Sequence, residues 1–357
     1  MKIALLTYSS KPRGGVVHTL ALAEALARRG QDVSVWSLGR GGDSTFFRPV
    51  DPAVTVRMVP FEHRDGESVG ARILRSIDVL REAFTLDEYD IVHAQDCISA
   101  NAVGRCIRTI HHLDEFITPE LAACHERAIT APYARICVSA AVANDVRLGW
   151  GFEPAVIPNG VDAQRFGAAA QSGRSHWRTK LGRYVLAVGG IEPRKGSLDL
   201  LDAFARLRSD SGNRDLRLVF AGGETLFDYR EYRAEFDRRA EELGVEPVIL
   251  GTVVDDELPH LVAQAAVLPF FSTKEGFGLA AMEALAASTP VVARDLPVLR
   301  EVFGNSVAYA SSVESMATEL HRALLAPRNP ETGRALARSL TWDEAARRHV
   351  EFYSSLR

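Results

Sequence analysis

Residues 2–38 read KIALLTYSSKPRGGVVHTLALAEALARRGQDVSVWSL. An apolar run at 2–8 suits a buried parallel strand, and Pro12, Gly14 and Gly15 interrupt it. The next fifteen residues carry apolar side chains at helical spacing and stop at Gly30, a natural helix terminator. DVSVWSL then resumes a strand. Strand, glycine turn, helix, glycine, strand is a βαβ unit, so the chain begins as a parallel, doubly wound α/β layer.

The same alternation continues outward. Strands are predicted at 54–59, 91–94, 106–110 and 135–138, and VIPNGVD (156–162) closes this half. Residues 167–178, rich in Ala, Ser and Gly, read as a linker. The pattern restarts with strands at 184–190, 216–223, 248–250, 267–271 and 290–294 and helices between them. This predicts an α/β fold of two Rossmann-like, doubly wound domains facing across a cleft. The first spans 1–166 and the second 167–335. Thr341 and Glu344 are spaced as a capping box. They start a terminal helix, 336–357 in all, whose Trp342 requires a docking face.

A chain of 357 residues with 46% apolar and 25% charged side chains suits two globular cores. The net charge of −4 offers no basic field for nucleic acid. Cys97, Cys106, Cys124 and Cys137 lack metal-site or paired spacing and are read as reduced thiols. No run approaches eighteen apolar residues, and the opening one is too short for a signal core. The expectation is a cytoplasmic protein, with room for peripheral contact at a membrane's inner face.

Chemistry concentrates in KEGFGLAAMEAL (274–285). A helix starting at its second glycine points backbone amides outward, a site for phosphate. Glu275 and Glu283, either side of the turn, can accept hydrogen bonds from hydroxyls. Together they predict a phosphate-linked polyol ligand such as a nucleotide sugar. Gly276, Phe277, Gly278 and Leu279 supply the turn and its amides, with Ser272 as a further hydroxyl contact. In GGIEPRKG (189–196), Arg194 and Lys195 follow a strand and suit a diphosphate. Gly14 and Gly15 read either as a plain turn or as a close approach of backbone to diphosphate. His93, His111 and His112 follow strand ends, where an α/β sheet lines its crevice, and His111 is the chosen one. Asp114 and Glu115 either orient an imidazole or cap a helix. Asn159 and Gly160 read as a tight turn, and Asp162 and Arg165 as fastenings of the linker. No cluster recommends a metal. The dinucleotide fingerprint GxGxxG is absent, which excludes a nicotinamide cofactor.

These residues resemble the retaining glycosyltransferases of family GT4, with the GT-B fold. GG at 14–15, TIHH at 109–112, PNGVD at 158–162, EPRKG at 192–196 and the paired glutamates stand in the family's order. The resemblance implies that Arg194 and Lys195 hold and neutralise the donor diphosphate. Glu275 would bind the donor sugar, with the amides of 277–279 at the diphosphate. Glu283 would bind ribose, and His111 would lie near the anomeric centre. Gly14 and Gly15 would let a loop close over the donor, and the terminal helix would cross back to the first domain. It further implies a front-face reaction without a metal cofactor. The acceptor would be a glycan, lipid-linked or small-molecule hydroxyl, bound through loops that include the unmatched stretch 61–75. Base selection falls to 222–226 and 250–256. The rival readings are a GT-B epimerase that hydrolyses its donor and a non-catalytic nucleotide-sugar binding protein. The oligomeric state is not legible.

Overall fold

A computed structural model of the chain describes residues 1–113, 116, 119–223 and 229–356. It comprises two compact units, Met1–Gly160 with Trp342–Arg357, and Val161–Thr341.

The first unit is built on seven parallel strands: β1 (Lys2–Leu6), β2 (Asp32–Arg40), β3 (Val54–Phe61), β4 (Ile91–Ala94), β5 (Ile107–Ile110), β6 (Ala134–Cys137) and β7 (Ala155–Val156). Their order in the sheet is β3-β2-β1-β4-β5-β6-β7. β1 reads as a continuous apolar run because both faces are covered, and Ile3 to Leu6 are fully buried. The helix Gly14–Arg28 buries Leu20, Leu22 and Leu26 against the sheet. It stops where Gly30 takes φ +76° and its N–H donates to the Ala27 carbonyl at 2.8 Å.

The terminal helix Trp342–Ser355 belongs to this first unit. Trp342 packs edge-on to His18 with ring centroids 5.3 Å apart. Arg28 pairs with Asp343 at 2.8 Å, and Arg348 donates to the Val156 carbonyl at 2.6 Å. The sequence argument that a tryptophan so placed must dock finds its partner here.

The second unit repeats the plan with β8 (Tyr184–Val188), β9 (Arg217–Ala221), β10 (Val248–Ile249), β11 (Leu268–Phe270), β12 (Val291–Arg294) and β13 (Ala308–Ala310). The trios β10-β9-β8 and β11-β12-β13 are joined by a parallel bridge between Val185 and Val267. Leu186 N–H donates to the Val267 carbonyl at 3.1 Å. Phe204, Leu218, Phe236, Val267 and Met316 lie in its core.

The expected linker at 167–178 is largely helical, in Ala163–Gln171 and His176–Leu181. The side chain of Asp162 caps the first of these by accepting from Arg165 N at 3.0 Å. Phe166 and Trp177 are buried, so this stretch is part of the second unit's packing and the division falls at 160. The second division falls at 341 because the helix Pro330–Ser339 runs through position 335. Residues 297–325, for which no element was expected, form two helices flanking β13. Among the described residues, no helix is long and apolar enough to cross a membrane.

Candidate active site

In the second unit two loops at strand ends are laced together. Beyond β8, Glu192 to Gly196 form a 3₁₀ turn, and beyond β11 lie Phe271 to Glu275. Gly196, at φ +64°, permits this approach, since a Cβ there would stand 2.3 Å from the Phe271 carbonyl oxygen. The Thr273 N–H donates to the Arg194 carbonyl at 2.8 Å.

Across this junction Lys195 Nζ donates to Glu275 Oε1 at 2.7 Å, and Arg194 Nη1 stands 3.3 Å from the same oxygen. Arg194 also pairs with Glu192 at 3.3 Å and donates to the Lys274 carbonyl at the same length. Burial pushes the Glu275 carboxyl up, but Lys195 and then Arg194 outweigh it and hold it at about 2. Ser272 is buried and its hydroxyl also favours the charged form of Glu275, without reaching good hydrogen-bond geometry.

Gly276, Phe277 and Gly278 are buried and lead into the helix Leu279–Ala286. Gly278 sits at φ +99°, and a Cβ there would stand 2.9 Å from the Phe303 ring. Among the described residues no side chain caps this helix, which leaves its first amides for another acceptor. One helical turn on, the Glu283 side chain makes no hydrogen bond or ion pair among the described residues. Burial raises its pKa to about 8. Arg165 opposes the shift, while Asp255 and Asp162 reinforce it. Arg165 is itself engaged with Asp255 at 2.7 Å. Glu283 is thus a carboxyl with unmet hydrogen-bonding capacity.

In the first unit, His111 follows β5 and its Nε2 lies 3.3 Å from Gln95 Oε1. Its ring meets His18 edge-to-face, centroids 4.7 Å apart. His18 Nδ1 donates to Asn159 Oδ1 at 2.8 Å, with the tautomer assigned from that bond. Burial holds His111 well below the ordinary histidine range; a proton on neighbouring His18 would repel one on His111, and the charge of Arg108 adds to the shift. His18 falls to about 3 from burial and then from His349. Both imidazoles are therefore neutral at pH 7.

His93 is not a site residue. It is fully buried, with Nδ1 2.7 Å from Tyr353 Oη and Nε2 2.6 Å from Thr109 Oγ1. Both ring nitrogens are engaged, Nδ1 in fastening the terminal helix and Nε2 on β5. Gly14 and Gly15 are not a mobile loop, since they form the first turn of the helix Gly14–Arg28. A Cβ on Gly14 would meet nothing within 4 Å, and one on Gly15 would touch His111 only at 3.9 Å. The protein itself does not demand glycine at either position. Asp114 and Glu115, and residues 224–226 of the expected base-selecting loop, lie outside the described residues.

Sequence reasoning missed His18, Gln95 and the role of Asn159. Asn159 is buried with its amide on His18, beyond what a tight turn requires. The available signal was a histidine on the apolar face of the first helix, three residues past the glycine pair. Among the described residues, no cluster of three or more His, Cys, Asp or Glu could hold a metal.

The chain matches two family models. Residues 12–165 match that described as Glycosyltransferase Family 4, and residues 174–339 match that described as Glycosyl transferases group 1. It is 30% identical to a D-inositol 3-phosphate glycosyltransferase of Geodermatophilus obscurus, over 83% of this chain and 73% of that protein. It is 28% identical to the MMP alpha-(1->4)-mannosyltransferase of Mycolicibacterium hassiacum, over 99% and 98%. Among solved structures, sucrose-phosphate synthase from Thermosynechococcus elongatus superposes with a TM-score of 0.80 at 18% identity, covering 100% and 99%. Anabaena HepE in complex with UDP and glucose gives 0.74 at 19%, covering 99% and 100%. These likenesses establish the GT-B type of fold.

Proposed function

This chain belongs to the group 1, family 4 glycosyltransferases, and from that premise we propose that it moves a hexose from a nucleoside diphosphate sugar to an acceptor hydroxyl with retention at the anomeric carbon. The observation that carries this reading is the junction of Glu275 with Lys195 and Arg194 beside an uncapped helix start.

In this reading Arg194 and Lys195 grip the diphosphate, helped by the amides of 277–279 and the Ser272 hydroxyl. Glu275 keeps both cations aimed while it accepts from donor-sugar hydroxyls. Glu283 accepts from the ribose hydroxyls, which supply its missing partners. His111, held neutral, presents an uncharged imidazole near the anomeric carbon. Gly14 and Gly15 leave room for the donor to approach backbone.

The bond from the anomeric carbon to the diphosphate oxygen breaks, and the acceptor oxygen bonds to that carbon on the same face. The acceptor's proton passes to the departing diphosphate oxygen, and Arg194 and Lys195 neutralise the charge that develops there. Such fixed electrostatic groups contribute about 10²–10³ in rate each. The two cations serve where a metal would otherwise stand, so no metal is required in this reading.

The test begins with a thermal-shift panel of UDP, GDP and ADP and their sugars, UDP first because HepE was solved with it. The linkage formed is then assigned by NMR. An inverted product would overturn retention. Donor consumption that is indifferent to any acceptor would overturn transfer in favour of hydrolysis or epimerisation.

A further inference from the structure

The crest of the first unit's sheet, where β1, β2 and β3 end, carries an arginine set that the donor reading does not use. Arg40, the last residue of β2, lies over two aromatic faces, 5.2 Å from the Tyr8 centroid and 4.9 Å from that of Phe61. Its Nε donates to the Tyr8 carbonyl at 3.3 Å and its Nη2 to Ser76 Oγ at 2.8 Å. Both acceptors are uncharged. The two rings fix the guanidinium plane, and Nη1 has no hydrogen-bond acceptor among the described residues.

The surroundings make this unusual. Two other cations of the neighbourhood pair with carboxylates, Lys11 with Asp43 at 2.9 Å and Arg75 with Glu67 at 2.7 Å. Arg40 makes no ion pair among the described residues. Arg72 and Arg13 stand close enough that their charges add to burial in lowering it to about 10. Arg13 Nη1 donates to Tyr8 Oη at 2.7 Å, on the ring that Arg40 covers. The facing carboxylate, Asp96, is already accepting from Tyr8 N at 2.8 Å, Ser99 N at 2.7 Å and Ser99 Oγ at 3.0 Å. A half-buried guanidinium held flat, beside like charges and with no carboxylate in direct ion-pair contact among the described residues, is built to receive an anion.

Its position ties it to His111. Gln95 holds the His111 ring, and the next residue, Asp96, holds the backbone of Tyr8 under Arg40. One dipeptide at the end of β4 thus fixes both groups. Resting on the glycosyltransfer reading, we propose that the acceptor carries a phosphate group, docked on Arg40 with Arg13 and Arg72 beside it. The phosphate fixes which hydroxyl of the acceptor comes up to His111. Residues 61–75, which sequence reasoning assigned to the acceptor without a mechanism, contribute Phe61 and Arg72.

The test titrates full-length protein, its donor cations occupied by whichever nucleoside diphosphate binds best, with glycerol 1-phosphate and separately with glycerol. Vesicles of phosphatidylglycerol and of phosphatidylcholine form a second arm. Binding of glycerol 1-phosphate but not glycerol is expected for a soluble phosphorylated acceptor. Selective binding to phosphatidylglycerol vesicles is expected if a lipid headgroup supplies the phosphate. In either arm Arg40→Gln should weaken binding about ten-fold, while Arg40→Lys retains part of it. Arg13→Gln carries the same test should Arg40→Gln fold poorly. Absence of phosphate-selective binding in both arms, or affinity unmoved by either glutamine variant, overturns the proposal. Nucleoside diphosphate affinity, measured in the same samples, reports on the donor reading separately.

Discussion

The two candidate half-sites are held by opposite means. Around His111 the first unit uses neutral imidazoles, each placed by rings and uncharged hydrogen bonds and kept uncharged by burial. Around Glu275 the second unit uses full charges that cancel one another at 2.7 and 3.3 Å. A neutral packed cluster has one arrangement and resists change. A compensated ion cluster can exchange one partner for another, so a diphosphate can share cations that Glu275 holds in its absence. The first half is suited to positioning and the second to binding and charge neutralisation.

Acid should separate them most strongly. His18, His93 and His349 are almost fully buried with pKa values below their unfolded 6.5, at about 3 for His18 and about 4 for His349. A base depressed in the folded state takes up its proton on unfolding, so stability falls as pH drops below 6.5. Each contributes about 1.4 kcal/mol per pH unit until its folded value is reached. Glu275 is an acid depressed to about 2, and its contribution is lost only between pH 4.5 and 2. Hydrogen exchange at pH 5 should therefore show the first unit loosened while the second stays protected. Simultaneous loosening would break the comparison.

Glu275→Gln removes the charge that aims both cations. Turnover should fall by about 10²–10³ with the melting temperature little changed. Near-normal turnover would remove Glu275 from the site. Replacing Arg194 and Lys195 together by Ala should cost about 10²–10⁴-fold in nucleoside diphosphate affinity by calorimetry, each charged hydrogen bond contributing about 1.5–3 kcal/mol. Unchanged affinity would refute their role.

Tyr353→Phe leaves His93 Nδ1 buried without its 2.7 Å partner. It should cost about 1–3 kcal/mol in the first unit's stability while nucleotide binding persists. The smallest effect is the pH dependence of donor binding. Glu283 is raised to about 8 in the free protein, and ribose hydroxyls donating to it stabilise the carboxylate. Affinity should rise with pH through 7 by up to about ten-fold per unit and level off above 8. Glu283→Gln should lack this rise, and an identical profile in both proteins would detach Glu283 from the ribose.

Much of this was legible because it is local. Strand runs, the Gly30 stop and the EGFG turn depend on neighbours within a few residues. Residues 167–178, which fall largely in the helices 163–171 and 176–181, read as linker because they are rich in Ala, Ser and Gly and show little pattern. What orders them is Phe166 and Trp177 in a distant core, with Asp162 as a cap. The helix Val313–Leu325 opens on a Ser312–Ser315 box in place of the usual Ser–Glu, so its start carried little signal. His93, a strand-end candidate passed over for His111, shows a similar limit. A histidine at a strand end points to a crevice unless something else occupies it, and here Tyr353, 260 residues away, does. Cations adjacent in sequence showed themselves, whereas Arg40 became notable only once its partners were seen to be uncharged.

The docking of Trp342–Ser355 onto the first unit also sets an order of assembly. During synthesis β1 to β7 emerge first, yet the helix that covers His18 and His93 follows the whole second unit. The second unit can complete its core while the first still exposes an apolar, histidine-lined face. A nascent chain stalled between the two would carry a finished second unit and an unfinished first. That interval is where a chaperone, or a second chain's terminal helix, would find its opening.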